Sequence, residues 1–451
     1  MDGLKAAEQP KEGESAQYAL VRSRARSAGC EQVELRPAGP DLREQTHGNI
    51  TVAIAKSFEE ISGLRNVWQA MQSEQASAKP NADIDRYTSV IEATGGKIKP
   101  YVMLFKRDNE PLAMVLARTE DHRLSLRLGY KSLLNPRLKC LNVVYGGILG
   151  RVEGELCSVV LDELTRQLKS GEFDVVCFNY LDAQSDFYRA VRKTPCLFTR
   201  GHFPRMAEHW RMSVPETLEQ FYQIRSRGHR RNLRQAVKKF ERKYPGTQNF
   251  VKYTREDQVD EFIEVAAGIS AKTYQNALGA GIVDDEQTRR RIKIAASRGW
   301  FDGNVLLAGD EPCAFQLGLR YGSVYYMVSI GYDPALNSYK TGTILFLKVL
   351  KSLCEDPEIR MLDFYFGDAE YKKRYGTEHW PEACTYVFAP RPYPVAVNVL
   401  RCSVAGVNAG LAHVAKKIGG TNLVKRKWRD ILGSTAPVSR TRTKSGVTSP
   451  P

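Results

Sequence analysis

The sequence predicts an α/β fold, with one mixed central sheet flanked by helices occurring twice in tandem. Two hairpins of similar pattern carry the first part of this expectation. They span 101–116 and 304–317 and turn through Asp108-Asn109-Glu110-Pro111 and Gly309-Asp310-Glu311-Pro312. Each hairpin follows a region of helical periodicity, 57–94 and 255–298. Each precedes another strand pattern, a helix, and an apolar strand holding one Asp. Those strands are Phe173-Asp174-Val175-Val176-Cys177-Phe178 and Met361-Leu362-Asp363-Phe364-Tyr365-Phe366. One repeated turn is weak evidence; a repeated order of elements argues for a duplicated unit.

The chain has 451 residues, 42% hydrophobic and 26% charged, which is globular composition. At roughly 100–200 residues per domain, this length holds two or three domains. Nine cysteines are scattered singly, several inside apolar runs, and read as reduced thiols of a cytoplasmic protein. The seven histidines are dispersed and no zinc spacing occurs, so no metal is expected. Residues 1–50 lack an apolar core of the secretory kind and read as a disordered extension. No run approaches the ~18 consecutive apolar residues of a membrane span. The expected location is cytoplasmic, at most peripheral at the inner membrane face.

In chain order the expected units are a degenerate first domain, 51–214, and a second, 215–390. A basic helix, 216–243, joins them, interrupted at Gly228. Residues 391–432 form a basic amphipathic tail, and 433–451, rich in Ser, Thr, Pro and Arg, are disordered. The net charge of +15 concentrates at this end: from Arg391 onward eleven basic residues face one acid, Asp430. In the tail, Val397, Leu400, Val404, Val407, Leu411, Val414 and Ile418 recur at helical steps. Such a segment either docks on its own protein, the reading favoured here, or lies on an anionic membrane.

Two places combine chemistry with position. At Asn337-Ser338-Tyr339-Lys340-Thr341-Gly342-Thr343-Ile344-Leu345 a loop enters a helix. The free N–H groups of a helix start suit a phosphate, Gly342 permits close approach, and Lys340 supplies countercharge. At the end of the 361–366 strand, Asp363 stands among apolar residues, and Tyr371 and Lys372 open the next helix. A carboxylate to accept or orient a proton, a tyrosine acid and a lysine to hold negative charge fit group transfer. The plainer reading makes Asp363 a cap on backbone amides or a bridge to an arginine. Arg230, Arg231 and Arg234 of the basic helix either grip a phosphorylated acceptor or form a solvated face.

These residues together resemble the GNAT acyltransferase superfamily, most closely the CelD/BcsL-type enzymes associated with exopolysaccharide synthesis, relatives of the Fem peptidyltransferases. The resemblance runs over about 215–390. It rests on Arg230-Arg231-Asn232-Leu233-Arg234, the 309–312 turn, the strand and bend from Tyr326 to Pro334, Thr341-Gly342-Thr343-Ile344-Leu345, and Asp363-Phe364-Tyr365-Phe366-Gly367 with Tyr371-Lys372. Residues 51–214 are similar to a degenerate copy. The resemblance implies acetyl-CoA or another acyl-CoA as co-substrate. Its pantetheine would lie along Met327, Val328, Ser329 and Ile330, and its pyrophosphate on Ser338, Lys340, Thr341, Gly342 and Thr343. It further implies a small-molecule or lipid- or glycan-linked acceptor, such as an amino sugar or envelope precursor. The alternatives are a Fem-like transferase using aminoacyl-tRNA, the one reading with a nucleic acid partner, and a non-catalytic scaffold at a polysaccharide synthase.

Overall fold

The computed structural model describes residues 43–47, 49–75, 79–129, 131–246, 249–273, 281–367 and 369–417. The first half contains β1 (Arg43–His47), β2 (Ile50–Ala55), α1 (Phe58–Gly63), α2 (Arg65–Ser73), α3 (Ile84–Glu92), β3 (Lys99–Arg107) and β4 (Glu110–Arg123). It continues with β5 (Leu126–Leu128), β6 (Lys131–Leu134), β7 (Arg137–Gly150), α4 (Glu155–Lys169), β8 (Val175–Asp182), α5 (Asp186–Lys193) and β9 (Arg205–Ser213). The second half opens with α6 (Leu218–Gln223) and α7 (Arg227–Lys243), then β10 (Phe250–Tyr253), α8 (Val259–Ala271) and α9 (Glu286–Ala296). There follow β11 (Phe301–Ala308), β12 (Glu311–Tyr321), β13 (Val324–Tyr332), α10 (Thr341–Cys354), β14 (Met361–Phe366), α11 (Glu370–Tyr375) and β15 (Glu378–Phe388). A long helix, α12 (Pro392–Lys417), ends the described chain.

The two predicted hairpins are β3–β4 and β11–β12, both antiparallel. Asp108 and Asn109 both take positive φ in the first turn, the geometry a two-residue hairpin favours. Each half then makes one parallel crossover, β7–α4–β8 and β13–α10–β14. The order of elements is therefore duplicated, but the sheet is shared. Its thirteen strands run β1-β2-β3-β4-β7-β8-β15-β9-β14-β13-β12-β11-β10. The last strand of each half has changed places: β9 pairs with β14, β15 pairs with β8, and the two pair with each other. A sheet continuous across both halves has no edge at its centre, and that centre is where polar groups collect.

Apolar residues alternate across the strands. One face packs against α4 and α5 in the first half and against α6, α7 and α10 in the second. The other packs against α1–α3 and against α8 and α9. Three details differ from the sequence expectations. The strand β1 begins at Arg43, inside the segment 1–50 expected to be an extension. The basic stretch 216–243 is two helices, broken at Ile224–Ser226 rather than at Gly228. Ser226 caps α7 by accepting from His229 N, and this side-chain cap sets the start, so Gly228 falls in the first helical turn. The helix α7 also does not bridge the halves: Leu233 and Phe240 pack with α10 in one core.

The tail helix is described to Lys417; its expected continuation to 432 and the segment 433–451 lie outside the described residues. Over Pro392–Leu411 its mean hydropathy of 1.2 makes it long and apolar enough to cross a membrane by length and composition. The sequence expectation of no such segment counted unbroken apolar runs. Here scattered Asn, Ser and Gly and a single Arg dilute the window without making it polar.

Candidate active site

Both parallel ladders are short. The strands β7 and β8 pair only over Cys140–Val143 and Val175–Phe178, and β13 and β14 only over Val324–Tyr326 and Met361–Asp363. Beyond these points the strands part. In each half a tyrosine with positive φ sits where pairing with the exchanged strand is interrupted, Tyr180 in β8 and Tyr365 in β14. That conformation costs a non-glycine residue about 1–2 kcal/mol, so its surroundings must hold it. At Tyr365 the hold is visible: its N–H donates to Asp363 Oδ1 at 2.8 Å.

Asp363 is buried and is the hub of a charged chain that joins both halves. Its Oδ1 accepts from His209 Nε2 at 2.7 Å, and its Oδ2 faces Lys79 Nζ at 3.3 Å. His209 Nδ1 lies 3.2 Å from Glu382 Oε1, which also accepts from Trp380 Nε1 (3.0 Å) and the Tyr145 hydroxyl (3.3 Å). Trp380 stacks on the His209 ring at 4.4 Å, and Lys79 lies over the rings of Tyr145, Tyr326 and Trp380. Burial alone would lower the His209 imidazole, yet its bonds to Asp363 and Glu382 outweigh burial and raise it. Burial likewise would raise the Asp363 carboxyl, but the His209 bond and the Lys79 charge hold it below the usual carboxylate range. Lys79, His209 and Glu382 were not found from sequence: Lys79 lies in a loop and β9 around His209 is largely polar, so neither stands out locally. The plainer expectation for Asp363 was a cap on backbone amides or a bridge to an arginine; the structure gives it the Tyr365 N–H and pairs it with Lys79 and His209 instead of an arginine.

Lys372 is also buried. It donates to Phe366 O at 2.7 Å, and burial, only partly offset by the Asp363 charge, brings its pKa down to about 8. Tyr371 packs on Phe364, its ring 6.2 Å away on the face of α10, and burial pushes its hydroxyl well up. Asp363 and Lys372 are thus close enough to interact, while Tyr371 lies on the other side of the strand.

The helix α10 begins without a side-chain cap, after Lys340 in the left-handed conformation. The Thr341 side chain is buried and its hydroxyl has no hydrogen-bond partner. Around this helix start stand several cations. Burial lowers His229, and the nearby charges of Arg374, Arg225 and Lys340 lower it further; its Nε2 is buried without a partner. Lys239 reaches over from α7 to donate to Ser338 O at 3.2 Å. An uncapped helix start, two orphaned polar atoms and this ring of positive charge fit a polyanion such as a pyrophosphate. Gly342 borders it tightly, since a Cβ there would lie 3.1 Å from the Tyr332 ring. Of the residues expected to line a pantetheine, Met327 is buried, Val328 is exposed, and Ser329 and Ile330 still pair with β12 but not with β14. Arg230 is partly buried and Arg231 exposed; Arg234 is paired with Glu219 at 2.7 Å and lies over Tyr222.

Two cavities meet at the centre of the sheet. A groove of about 770 Å³ opens where β7 and β8 part, walled by Gly146–Gly150, Asn179–Asp182, Tyr145, Lys79, Trp380 and Glu382. A second, about 570 Å³, runs between the halves past Val328, Tyr365, Phe366 and Lys372. They share Val144, Tyr145, Asn179 and Tyr180. Among the described residues no group of three or more His, Cys, Asp or Glu side chains is placed to hold a metal.

Residues 227–373 match the acetyltransferase (GNAT) domain family. The whole architecture is similar to the crystal structure of FemX, with a TM-score of 0.52 and 10% identity, over 74% of this chain and 98% of that one. It also matches a Bacteroides thetaiotaomicron protein of unknown function (0.44, 10% identity, 74% and 99%). A tandem GNAT protein from the clavulanic acid biosynthesis pathway matches at 0.43 (9% identity, 75% and 99%). No curated protein matches the sequence. The fold is thus an α/β fold of the GNAT kind, with the acetyltransferase-type domain in the second half.

Proposed function

We propose that the protein is an acyltransferase that moves an acyl group from a CoA thioester to an amine or hydroxyl, with an amino sugar or cell-envelope or exopolysaccharide precursor as acceptor. The observation that carries this reading is the uncapped, cation-ringed start of α10 beside strands that part next to Lys372. The domain match over 227–373 supports it. Lys340, Thr341, Gly342 and Thr343 would hold the pyrophosphate, with Ser338 nearby, Arg225 and Arg374 as countercharge, and the partnerless His229 Nε2 as a hydrogen-bonding group. The pantetheine would follow Met327–Ile330 where β13 has left β14.

The thioester supplies an activated acyl carbon; this chain supplies position and charge. Lys372 is held by Phe366 O at the cavity wall and stabilises the oxyanion that forms as the acceptor adds. Tyr371 is buried on the α10 side of the strand and keeps its proton, so the proton the acceptor loses, passed through the open groove, is the one the departing thiolate takes up. Asp363 is engaged by His209 and Lys79 and acts by orientation, fixing the cavity wall.

The acceptor enters through the 770 Å³ groove. Glu382 forms part of its wall, is buried, and has an Oε2 with no hydrogen-bond partner. The groove also carries Glu153, Asp182 and Asp186 against Lys79, Arg151 and Arg211. Lys79 and Arg211 are paired with carboxylates outside its walls, as Asp186 is with Arg189 and Glu382 with His209, which leaves Glu153 and Asp182 against Arg151. On a chain of net charge +15, such a groove favours a protonated or hydrogen-bond-donating acceptor over a phosphate. The test is release of free CoA from acetyl-CoA in the presence of glucosamine. Turnover with glucosamine that is absent with glucose and lost in Lys372→Met supports the reading. Turnover unaffected by Lys372→Met contradicts it.

A further inference from the structure

The helix α12 docks on the body through Pro394, Val397 and a polar stripe, and leaves an aliphatic stripe in water. The stripe that meets the body carries Asn398, Arg401 and Asn408. Asn398 donates to Phe198 O and Arg200 O at 2.9 Å, Arg401 to Phe203 O at 2.6 Å, and Asn408 to Arg127 O at 2.7 Å. The stripe facing away carries Val399, Leu400, Val407 and Leu411, all exposed. A surface helix ordinarily has no such second apolar stripe, because apolar area gains by leaving water.

The segments that flank the helix continue this apolar surface. On one side, Leu197 and Phe198 are 58% and 59% exposed, with Phe203 beside them. On the other, the β5–β6 hairpin presents Leu133 and Leu134 and is tied to the helix by Gly129 N donating to Asn408 Oδ1 at 2.8 Å. Most of the exposed large apolar side chains among the described residues fall in these three segments. Scattered single residues would need no explanation; a contiguous surface from three separate parts of the chain does.

We propose that this surface seats the protein in the interface of an anionic lipid bilayer, with α12 lying in the plane of the membrane. Two further observations select that occupant. The helix is bolted to the body by Asn398, Arg401 and Asn408, so it cannot leave the body to cross the membrane without breaking those bonds. The chain that follows it carries Lys425, Arg426, Lys427, Arg429, Arg440, Arg442 and Lys444 against the single acid Asp430. Positive charge joined to the end of an apolar helix suits anionic headgroups. At about 1.5 Å per residue, the exposed stripe from Val399 to Leu411 lays roughly 18 Å of apolar edge against the membrane. Neither the donor nor the acceptor site enters this inference.

The test is co-sedimentation of the full chain with phosphatidylcholine vesicles containing phosphatidylglycerol. Two double variants accompany it, Leu400→Asp/Leu411→Asp and Leu197→Asp/Phe198→Asp, all at exposed positions where folding is not at stake. The expected result is binding that weakens with salt, and a loss of at least about tenfold in each double variant. Three results overturn the proposal. One is no sedimentation with vesicles. Another is sedimentation that survives both double variants and depends only on Lys425, Arg426 and Lys427. The third is a concentration-dependent dimer, abolished by the double variants, in a protein that ignores vesicles.

Discussion

The two crossover helices begin in opposite electrical surroundings. The helix α10 starts after Lys340, with His229, Arg225 and Arg374 around it and an orphaned Thr341 hydroxyl. The helix α4 starts after Gly154, also without a side-chain cap, but between Glu153 and Glu155. The strands that follow differ in the same way. Asp363 lies opposite Tyr326 in the second half's parallel ladder, and Cys177 lies opposite Asn142 in the first. The second half has cations around its crossover helix and the central ion-pair chain; the first borders the 770 Å³ groove, with Glu153, Asp182 and Asp186 in its wall. Duplication followed by divergence of charge lets a single continuous sheet present two different ligand surfaces to one central cavity.

The largest effect separates the halves by stability. Asp363→Asn leaves Lys79 buried beside a neutral partner and should cost about 3–5 kcal/mol, read by urea denaturation. Cys177→Ala at the matching position should cost only about 1–2 kcal/mol, as a small core truncation. Equal costs would remove the functional meaning of the difference. Next comes Lys372, where Lys372→Met should reduce acyl transfer on the order of a hundredfold with folding intact. In the wild type the rate should fall as pH rises through about 8, because the neutral amine no longer holds an oxyanion; Lys372→Arg should move that fall to higher pH. Glu382→Gln should raise the KM for the acceptor on the order of tenfold and leave acetyl-CoA affinity unchanged.

The smallest effect is a stability change with pH. The His209 imidazole is raised in the folded state, so its contribution is complete below the unfolded value of about 6.5 and is lost as pH rises through the folded value. A denaturation midpoint that declines on the alkaline side, and flattens in His209→Asn, would locate that contribution at the junction of the halves.

Much of this architecture was legible because it is local. The hairpins 101–116 and 304–317 announce themselves by alternation and turn residues, and the 337–345 junction by a polar loop entering an apolar helix. The exchange of β9 and β15 was not legible, since nothing in either strand's pattern names the strand it will join. The same non-locality hid half of the site. Lys79 and His209 are separated from Asp363 by 284 and 154 residues and meet it only through the shared sheet. Gly228 misled because glycine in a first helical turn is tolerated when the residue before it caps well; Ser226 and His229 supply that cap. On α12 the helical spacing was real and the helix docks on the body as expected, but largely through Val397, Asn398 and Asn408, while Leu400, Val407 and Leu411 of the same pattern face out.

The most direct measurement is calorimetric titration of acetyl-CoA into the wild type, Gly342→Glu and Arg151→Glu, with folding of each checked by circular dichroism. The account predicts binding to the wild type and to Arg151→Glu, and its loss in folded Gly342→Glu, where a carboxylate faces the pyrophosphate. Binding that survives Gly342→Glu but fails in Arg151→Glu would place the donor in the first half and contradict the account, as would a wild type that binds no acetyl-CoA.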